Sequence, residues 1–192
     1  MKDLSAINCL TFDVVGTLID FESGIADYFV GVGASQTRDE ILAIYAQEED
    51  VQQGLTPELP FTQMMEPICE RMAPQLGLEA GLGAGLRASI AKWPAFPDSV
   101  DALKRLGSQY RLVAMTNADN WALGHMAATL DDPFDDTVTC EDVGVNKPDP
   151  QVFAYARGRL SRDGVTKAST MHVAQSQYHD CLLYTSPSPR DA

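Results

Sequence analysis

The chain has 192 residues, 45% of them hydrophobic and 21% charged, a composition typical of a globular protein long enough for one domain and an insert. Its formal net charge of −13, from 27 acidic and 14 basic residues without a Lys/Arg cluster, argues against nucleic acid or an anionic membrane as a partner. No apolar run approaches the roughly 20 residues that a membrane-spanning helix needs. The N-terminal residues also lack the apolar region of a signal peptide.

The cysteines and histidines suggest neither a disulfide framework nor a zinc site. The four cysteines lie without CxxC spacing, and the three histidines form no zinc-binding pattern with them. Free, scattered cysteines are typical of reduced proteins, so we expect a cytoplasmic location. These residues are Cys9, Cys69, Cys140 and Cys181, and His125, His172 and His179.

The first predicted element is a buried strand over residues 7–12, an apolar run of the length typical of strands. Asp13 stands where this strand ends, and Gly16 permits a sharp turn. Ligands of open α/β sheets bind at the carboxyl ends of the strands, so Asp13 is a candidate nucleophile that forms a covalent ester. Taken alone, the segment favours a simpler interpretation, in which the Asp only caps a turn.

The next stretch, residues 19–93, has helical periodicity. Thr37 and Glu40 have the spacing of a capping box. Three sets of apolar residues then fall at helical spacing, and the methionine-rich set is more often core than binding site. Residues 81–85 are glycine-rich but lack GxGxxG spacing and follow no strand, so we interpret them as a turn or a weak helix. The three sets are Ile41, Leu42, Ile44 and Tyr45; Phe61, Met64, Met65, Ile68, Met72 and Leu76; and Leu86, Ile90 and Trp93.

From Pro94 onwards, strand and helix patterns alternate, which predicts an α/β fold with a parallel, Rossmann-like sheet. Further helices are expected after three aspartates, and two of these aspartates are predicted caps. In the middle helix we expect three apolar residues to face inward. The predicted strands are 110–115, 137–140 and 170–174; the aspartates are Asp98, Asp119 and Asp149, of which Asp98 and Asp149 are the caps; the inward residues are Trp121, Met126 and Leu130.

Three later stretches place polar groups at strand ends or before a helix, as Asp13 does. Thr116 and Asn117 end the second strand, residues 146–150 (Asn-Lys-Pro-Asp-Pro) precede a helix, and Gln175 and Asp180 follow the fourth strand. Each stretch alone is a weak signal. In order and rough spacing, however, the four stretches resemble the four motifs of the haloacid dehalogenase-like (HAD) hydrolase superfamily over residues 7–180.

This resemblance implies a domain organisation. Residues 1–18 and 94–180 would form the HAD core, and residues 19–93 a helical cap that closes over the active site. Members usually continue with a further helix and strand, so we expect the chain to be truncated at its C-terminus. Residues 181–192 resemble a translated sequencing adapter and are expected to be a non-native tail; a native Ser/Pro-rich tail is the alternative.

The resemblance also implies roles for the motif residues. Asp13 would be the nucleophile, and Lys147 would offset negative charge on the nucleophile and on the substrate. Asp180, the last acidic residue of the fourth motif, would be a third catalytic residue that pairs with Lys147 or helps to orient water. Thr116 and Asn117 would hold a substrate carboxylate, a phosphate or a departing halide, with a plain strand-end turn as the alternative. The remaining candidate substrate-binding residues are Thr17, which would either hydrogen-bond Asp13 or brace the loop, Gln175, and Arg38 in the cap.

Val15 departs from the pattern of the family's phosphatases, which carry a second Asp two positions after the nucleophile. Valine can neither protonate a leaving alcohol nor activate water. Dehalogenase-type members also have a non-acidic residue there, and a halide needs no proton to leave. Gln175 stands where Mg²⁺-dependent members often carry an acid, and Mg²⁺ favours anionic oxygen ligands. We therefore expect no cofactor, with Mg²⁺ held by Asp13 and Asp180 as the alternative.

The leading hypothesis is a metal-independent, 2-haloacid dehalogenase-like hydrolase that acts on a small anionic substrate through an aspartyl ester. Dehalogenases usually carry a cap arginine that binds the substrate carboxylate or the halide, and Arg38 is the candidate, against a plain surface position. The alternatives are a Mg²⁺-dependent, phosphatase-like enzyme without the usual acid, and a non-catalytic HAD-fold binding protein. The cap and the sheet edges both offer surface for a homodimer.

Overall fold

The structure is a computed structural model that describes residues 5–175. Its four strands form one parallel sheet in the order β3-β2-β1-β4, which confirms the predicted α/β, Rossmann-like architecture. The strands are β1 (Cys9–Phe12), β2 (Arg111–Thr116), β3 (Asp136–Thr139) and β4 (Thr170–Val173). The helices are α1 (Phe21–Gly31), α2 (Arg38–Leu55), α3 (Phe61–Gln75), α4 (Gly83–Ser89), α5 (Ser99–Gly107), α6 (Asn120–Thr129), α7 (Cys140–Val143) and α8 (Pro150–Ser161).

The central position of β1 determines where polar groups meet. Phe12, the last residue of β1, lies opposite Ala114 on β2 and Val173 on β4. All residues of β1 are buried, as expected of a strand with neighbours on both sides and helices on its faces. Because the strands are parallel, their carboxyl ends lie at one edge of the sheet, and the loops after β1, β2 and β4 converge there.

Residues 21–92, which we term the helical insert, contain α1 to α4 and a 3-10 turn at Ile90–Lys92. The predicted capping box is confirmed, because Glu40 accepts from the Thr37 backbone N–H and donates its own N–H to the Thr37 hydroxyl. The third predicted helix is shorter than the pattern suggested. Trp93 precedes Pro94 and is extended, and the residue before a proline is disfavoured in a helix.

Two neighbouring chain segments connect the helical insert to the sheet. Ile19 and Ala95 form an antiparallel bridge. On either side of it, the Asp20 N–H donates to the Pro94 carbonyl at 2.8 Å, and the Phe96 N–H donates to the Leu18 carbonyl at 3.0 Å. We term this ladder the paired linkers. It holds the beginning and the end of the insert together.

Trp121 does not face inward, so that expectation is wrong. Its side chain is 40% exposed, whereas Ala122, Leu123 and Met126 fill the inward positions of α6. The indole instead packs edge-on against His125 and lies under the Arg87 guanidinium, 4.7 Å from the ring centroid. An amphipathic indole is stable in such a half-exposed contact with a cation.

The aspartates expected to cap helices differ in what they do. The Asp149 side chain accepts from the Gln151 N–H at the start of α8, with Pro150 as the first helical residue, as predicted. Asp98 occupies the cap position of α5, but its side chain makes no capping hydrogen bond. Asp119, which was not predicted as a cap, accepts from the Ala122 N–H at the start of α6.

The three cysteines within residues 5–175 are free and buried. Burial raises the pKa of Cys9 to about 11, and that of Cys69 and Cys140 to about 12. At neutral pH they are therefore thiols that pack like small apolar side chains. No helix in this part of the chain is long and apolar enough to cross a membrane.

Candidate active site

Asp13 lies immediately after β1, and both oxygens of its side chain are held. Its backbone N–H donates to the Val173 carbonyl at 3.0 Å, which continues the β1–β4 pairing. Oδ1 accepts from Lys147 Nζ at 2.9 Å, and Oδ2 accepts from the Thr17 hydroxyl at 2.8 Å. The residue is 7% exposed. The carboxylate thus has a fixed orientation at the open edge of the sheet.

The loop after Asp13 turns sharply at Gly16, whose φ of +81° is a conformation that favours glycine. A Cβ at this position would also lie 3.2 Å from the Phe21 ring. The turn returns Thr17 to the carboxylate. Its hydroxyl donates to Asp13 and accepts from the Gln175 backbone N–H at 3.0 Å, so it both contacts Asp13 and braces the loop after β4.

Lys147 is 2% exposed, and Asn117 holds its backbone from the loop after β2. The Asn117 side chain accepts from the Lys147 N–H at 2.6 Å and donates to the Lys147 carbonyl at 3.0 Å. The Asn117 carbonyl also accepts from the Phe61 N–H at the start of α3. Asn117 therefore links three parts of the chain: the β2 loop, the lysine loop and the helical insert.

A cavity of about 300 Å³ lies between this edge of the sheet and the helical insert. Its size suits a small molecule. One wall comes from the sheet and its loops, and the other from α1, α2, α3 and the loop between α2 and α3. The first wall contains Asp13, Val15, Gly16, Thr116, Asn117, Ala118, Asn146, Lys147, Pro148 and Gln175; the second contains Phe21, Glu49, Gln53, Pro57, Phe61 and Met64.

A sequence model described as haloacid dehalogenase-like hydrolase matches residues 7–174. The chain belongs to this family of hydrolases. This match confirms the family resemblance that the four motifs indicated. Asp13, Thr116, Asn117 and Lys147 all line one cavity, which is the candidate active site of this HAD hydrolase.

Two relatives of the chain have names that state different reactions, a dehalogenation and a pyrophosphate hydrolysis. The HAD hydrolase is 26% identical over 167 residues to (S)-2-haloacid dehalogenase 4A of Burkholderia cepacia, a match that covers 82% of this chain and 71% of that protein. It is 27% identical over 179 residues to pyrophosphatase PpaX of Bacillus velezensis, which covers 92% of this chain and 77% of the relative. Sequence identity alone therefore does not separate the two chemistries.

The fold is that of known haloacid dehalogenase structures. The L-2-haloacid dehalogenase from Xanthobacter autotrophicus, solved with chloropropionic acid covalently bound, superposes with a TM-score of 0.75 at 21% identity. The match covers 90% of the HAD hydrolase and 71% of that chain. Another L-2-haloacid dehalogenase, PA0810, gives a TM-score of 0.74 at 23% identity and covers 90% of this chain and 78% of its own.

The structure brings most of the predicted site residues together, but not all of them. Thr17 contacts Asp13, and the other candidates from the core line the cavity. Arg38 does not line it: its guanidinium pairs with Asp27 on α1, and its side chain is 49% exposed. Asp180 lies outside the described residues. The candidates that line the cavity are Asp13, Thr116, Asn117, Lys147 and Gln175.

Thr116 is buried, at 1% exposure, and its hydroxyl accepts from the Ala118 N–H at 3.2 Å. This contact shapes the turn after β2. The Asn117 side chain is likewise engaged with the Lys147 backbone. Both side chains thus have a structural function in addition to facing the cavity.

The sequence analysis missed the second wall of the cavity. Phe61 and Met64 were interpreted as core residues, and Glu49 and Gln53 were not singled out. The available signal was their spacing: Tyr45, Glu49 and Gln53 follow one another at four-residue intervals on α2 and therefore lie on one side of the helix. Burial raises the pKa of Glu49, and a hydrogen bond from the Tyr45 hydroxyl acts in the opposite direction.

The donor groups that residues 5–175 bring to this site are a poor set for Mg²⁺. Within residues 5–175 there is no group of three or more His, Cys, Asp or Glu side chains that could hold a metal ion. Of the described residues, Asp13 alone contributes a carboxylate to the first wall, and Lys147 and Thr17 bond its two oxygens. Val15 and Gln175 supply no anionic oxygen, which Mg²⁺ sites in proteins normally require.

Proposed function

We propose that this HAD hydrolase is a metal-independent 2-haloacid dehalogenase that works through an ester on Asp13. The observation that carries the proposal is the combination of Asp13 and Val15 in one cavity. Asp13 is a buried, oriented carboxylate, as a nucleophile requires. Val15 provides no acid for an alcohol leaving group, and a halide leaves without one.

In the first step, a carboxylate oxygen of Asp13 attacks carbon 2 of the substrate in line with the carbon–halogen bond. The new C–O bond forms as the halogen leaves with the bonding electron pair, and carbon 2 inverts. Lys147 balances the negative charge of the incoming carboxylate substrate, and Asn117 positions Lys147 through its backbone.

In the second step, water attacks the side-chain carbonyl carbon of the Asp13 ester. The acyl C–O bond breaks, Asp13 returns as a carboxylate, and the products are a 2-hydroxyacid and one proton. The oxygen on carbon 2 of the product comes from Asp13 in each turnover. The oxygen of water enters the carboxylate of the protein.

The similarity to (S)-2-haloacid dehalogenase 4A supports the substrate class. The second candidate function is Mg²⁺-dependent phosphate release, which the comparable identity to pyrophosphatase PpaX favours. The donor set described above argues against it, because neither Val15 nor Gln175 can ligate Mg²⁺ as an anion.

The test is product release from 2-chloropropanoate and from an aryl phosphate, each with Mg²⁺ and with a chelator. We expect chloride release that survives the chelator and is lost in Asp13→Asn. Asp39→Asn, which removes an exposed acid outside the cavity, is the control and should retain full activity. Phosphate release that needs Mg²⁺, without chloride release, would overturn the proposal.

A single turnover in ¹⁸O-labelled water tests the covalent step separately. We expect unlabelled 2-hydroxyacid and a labelled protein, because the transferred oxygen comes from Asp13. Labelled product from the first turnover would show that water attacks the substrate directly, and would remove Asp13 from the role of nucleophile.

A further inference from the structure

The wall of the cavity formed by the helical insert carries the Glu49 carboxylate, and residues 5–175 supply a hydrogen-bond donor to only one of its oxygens. Glu49 and Gln53 lie one turn apart on α2, and both line the cavity. The Tyr45 hydroxyl donates to Glu49 Oε1 at 3.2 Å and fixes the side chain. Among residues 5–175, no hydrogen-bond donor and no cation contacts Glu49 Oε2.

The surroundings of Glu49 offer its carboxylate no second donor from the protein when the cavity is filled. A carboxylate drawn away from water is destabilised unless donors or a cation compensate it. The one cationic side chain in the described lining is Lys147, which pairs with Asp13 on the opposite wall. Phe61 and Met64, which also line the insert wall, are apolar and offer no side-chain donor. Once a substrate displaces water from the cavity, a donor for Oε2 has to come from that substrate.

We propose that Glu49 selects substrates whose carbon-2 side chain ends in a hydrogen-bond donor, a hydroxyl or an ammonium group. This inference rests on the proposed function, because that reaction places carbon 2 against Asp13 and leaves its side chain to face the insert. The cavity has a volume of about 300 Å³, so one small molecule that fills it contacts both walls. A short side chain on carbon 2 would therefore reach Glu49 and Gln53.

Glu49 discriminates chiefly by disfavouring substrates with an apolar side chain on carbon 2. A substrate with an apolar side chain would cover Glu49 and leave its carboxylate without water and without a donor. Sites built to hydrogen-bond a substrate group discriminate strongly against the analogue that lacks it, for this reason. Gln53, one turn further along α2, offers a second acceptor to the same group.

The test compares 2-chloro-3-hydroxypropanoate with 2-chlorobutanoate, which differ only in a terminal hydroxyl or methyl group. We expect the kcat/KM of the wild type to favour the hydroxylated acid at least about tenfold, the effect of one hydrogen bond to a charged acceptor. Glu49→Leu should bring the ratio to about one, mainly through a lower KM for 2-chlorobutanoate, because leucine removes the carboxylate that the apolar acid would cover. A ratio near one in the wild type, or a ratio unchanged in Glu49→Leu, would overturn the proposal.

Two further variants serve as controls for this comparison of substrates. Asp39→Asn removes the same charge from the same helix about 15 Å away along its axis, and should leave the ratio unchanged. Glu49→Gln keeps the shape of the side chain, so it tests the charge even if the leucine variant folds poorly. We expect it to lower the ratio, and thermal unfolding followed by circular dichroism checks that it is folded.

Binding of the corresponding products separates this inference from the proposed function. Calorimetric titrations with glycerate and with 2-hydroxybutanoate need no turnover. If neither chloroacid releases chloride, the dehalogenase proposal fails, and Glu49 is judged by binding alone. Glycerate bound about tenfold more tightly than 2-hydroxybutanoate, with the difference lost in Glu49→Leu, supports the selection. Equal binding of the two acids, or binding of neither, overturns it.

Discussion

Lys147 Nζ lies 2.9 Å from Asp13 Oδ1, although 134 positions separate the two residues in the chain. Their side chains are 1% and 9% exposed. The pair therefore joins the loop after β1 to the loop before α8 inside the protein. Its members serve the proposed chemistry and the stability of the fold at once, because neither charge can be left unpaired without cost.

Lys147→Met should abolish turnover and lower the free energy of unfolding by about 3 kcal/mol, since it leaves the Asp13 carboxylate buried without its cation. Urea unfolding and the chloride assay measure the two effects. In the double variant with Lys147→Met and Asp13→Asn, the free energy of unfolding should fall by clearly less than the sum of the losses in the two single variants. Additive losses would show that the two side chains are not coupled.

Asn117→Ala should reduce kcat and lower the free energy of unfolding by about 1–2 kcal/mol, because the Lys147 backbone loses two hydrogen bonds. Asn120→Ala is the matched control. The Asn120 side chain bonds Thr139 and Asp142 and does not line the cavity, so this variant should lose stability but keep its kcat. An equal loss of kcat in both variants would contradict a positioning role for Asn117.

Thr17→Val should lower kcat and destabilise the protein by about 1–2 kcal/mol, because it removes the hydroxyl that contacts Asp13 Oδ2 and the Gln175 N–H. Thr17→Ser retains the hydroxyl and should recover most of the activity. Steady-state kinetics of both variants checks this. If the serine variant is as impaired as the valine variant, the methyl group matters and the hydroxyl does not.

Glu49→Gln should make the protein more stable than the wild type at pH 8. Burial raises the pKa of Glu49 in the folded state, so ionisation of this side chain disfavours folding. Its contribution to stability is present below its unfolded-state pKa of about 4.5 and is lost as the pH rises through the folded-state value. The advantage of the variant should therefore shrink as the pH falls towards 4.5, and urea unfolding at a series of pH values measures it. An advantage that does not depend on pH would have another cause.

Gly24→Ala should destabilise the protein by about 1–3 kcal/mol, because an added Cβ would lie 2.1 Å from Cδ1 of the buried Trp93 ring. For a domain of this size, such a loss lowers Tm by roughly 2–12 °C. Gly31→Ala, on the same helix with nothing within 4 Å of the added Cβ, should be neutral or stabilising. Thermal unfolding followed by circular dichroism compares them, and equal effects would contradict the packing argument.

The sheet and one wall of the cavity were predictable because they follow from local pattern and one geometric rule. Apolar runs marked the four strands within about two residues of their observed bounds. Parallel strands bring their carboxyl ends to one edge, so Asp13, Thr116 and Asn117 had to lie near one another. The position of Lys147 needed the motif as well, because its loop precedes a helix and does not end a strand.

The insert wall was not predictable in the same way, because it depends on how helices dock. The four-residue spacing puts Tyr45, Glu49 and Gln53 on one side of α2, but it does not say whether that side faces core, cavity or water. Trp121 shows the same limit, since an adjacent residue on α6 took the inward position. Arg38 was a candidate because the family resemblance implies a cap arginine, and the nearby Asp27 holds it at the surface.

Because the paired linkers join the two ends of the helical insert, the insert could be replaced by another segment that begins and ends at the same positions. Its two ends meet across hydrogen bonds of 2.8 and 3.0 Å, so an insert of another length or sequence can begin and end at the same two positions. Replacement of the insert would change the wall that contains Glu49, whereas Asp13 and Lys147 lie on loops outside the replaced segment. The proposed chemistry and the proposed substrate selection thus lie on different segments of the chain, and each can change by substitutions in its own segment.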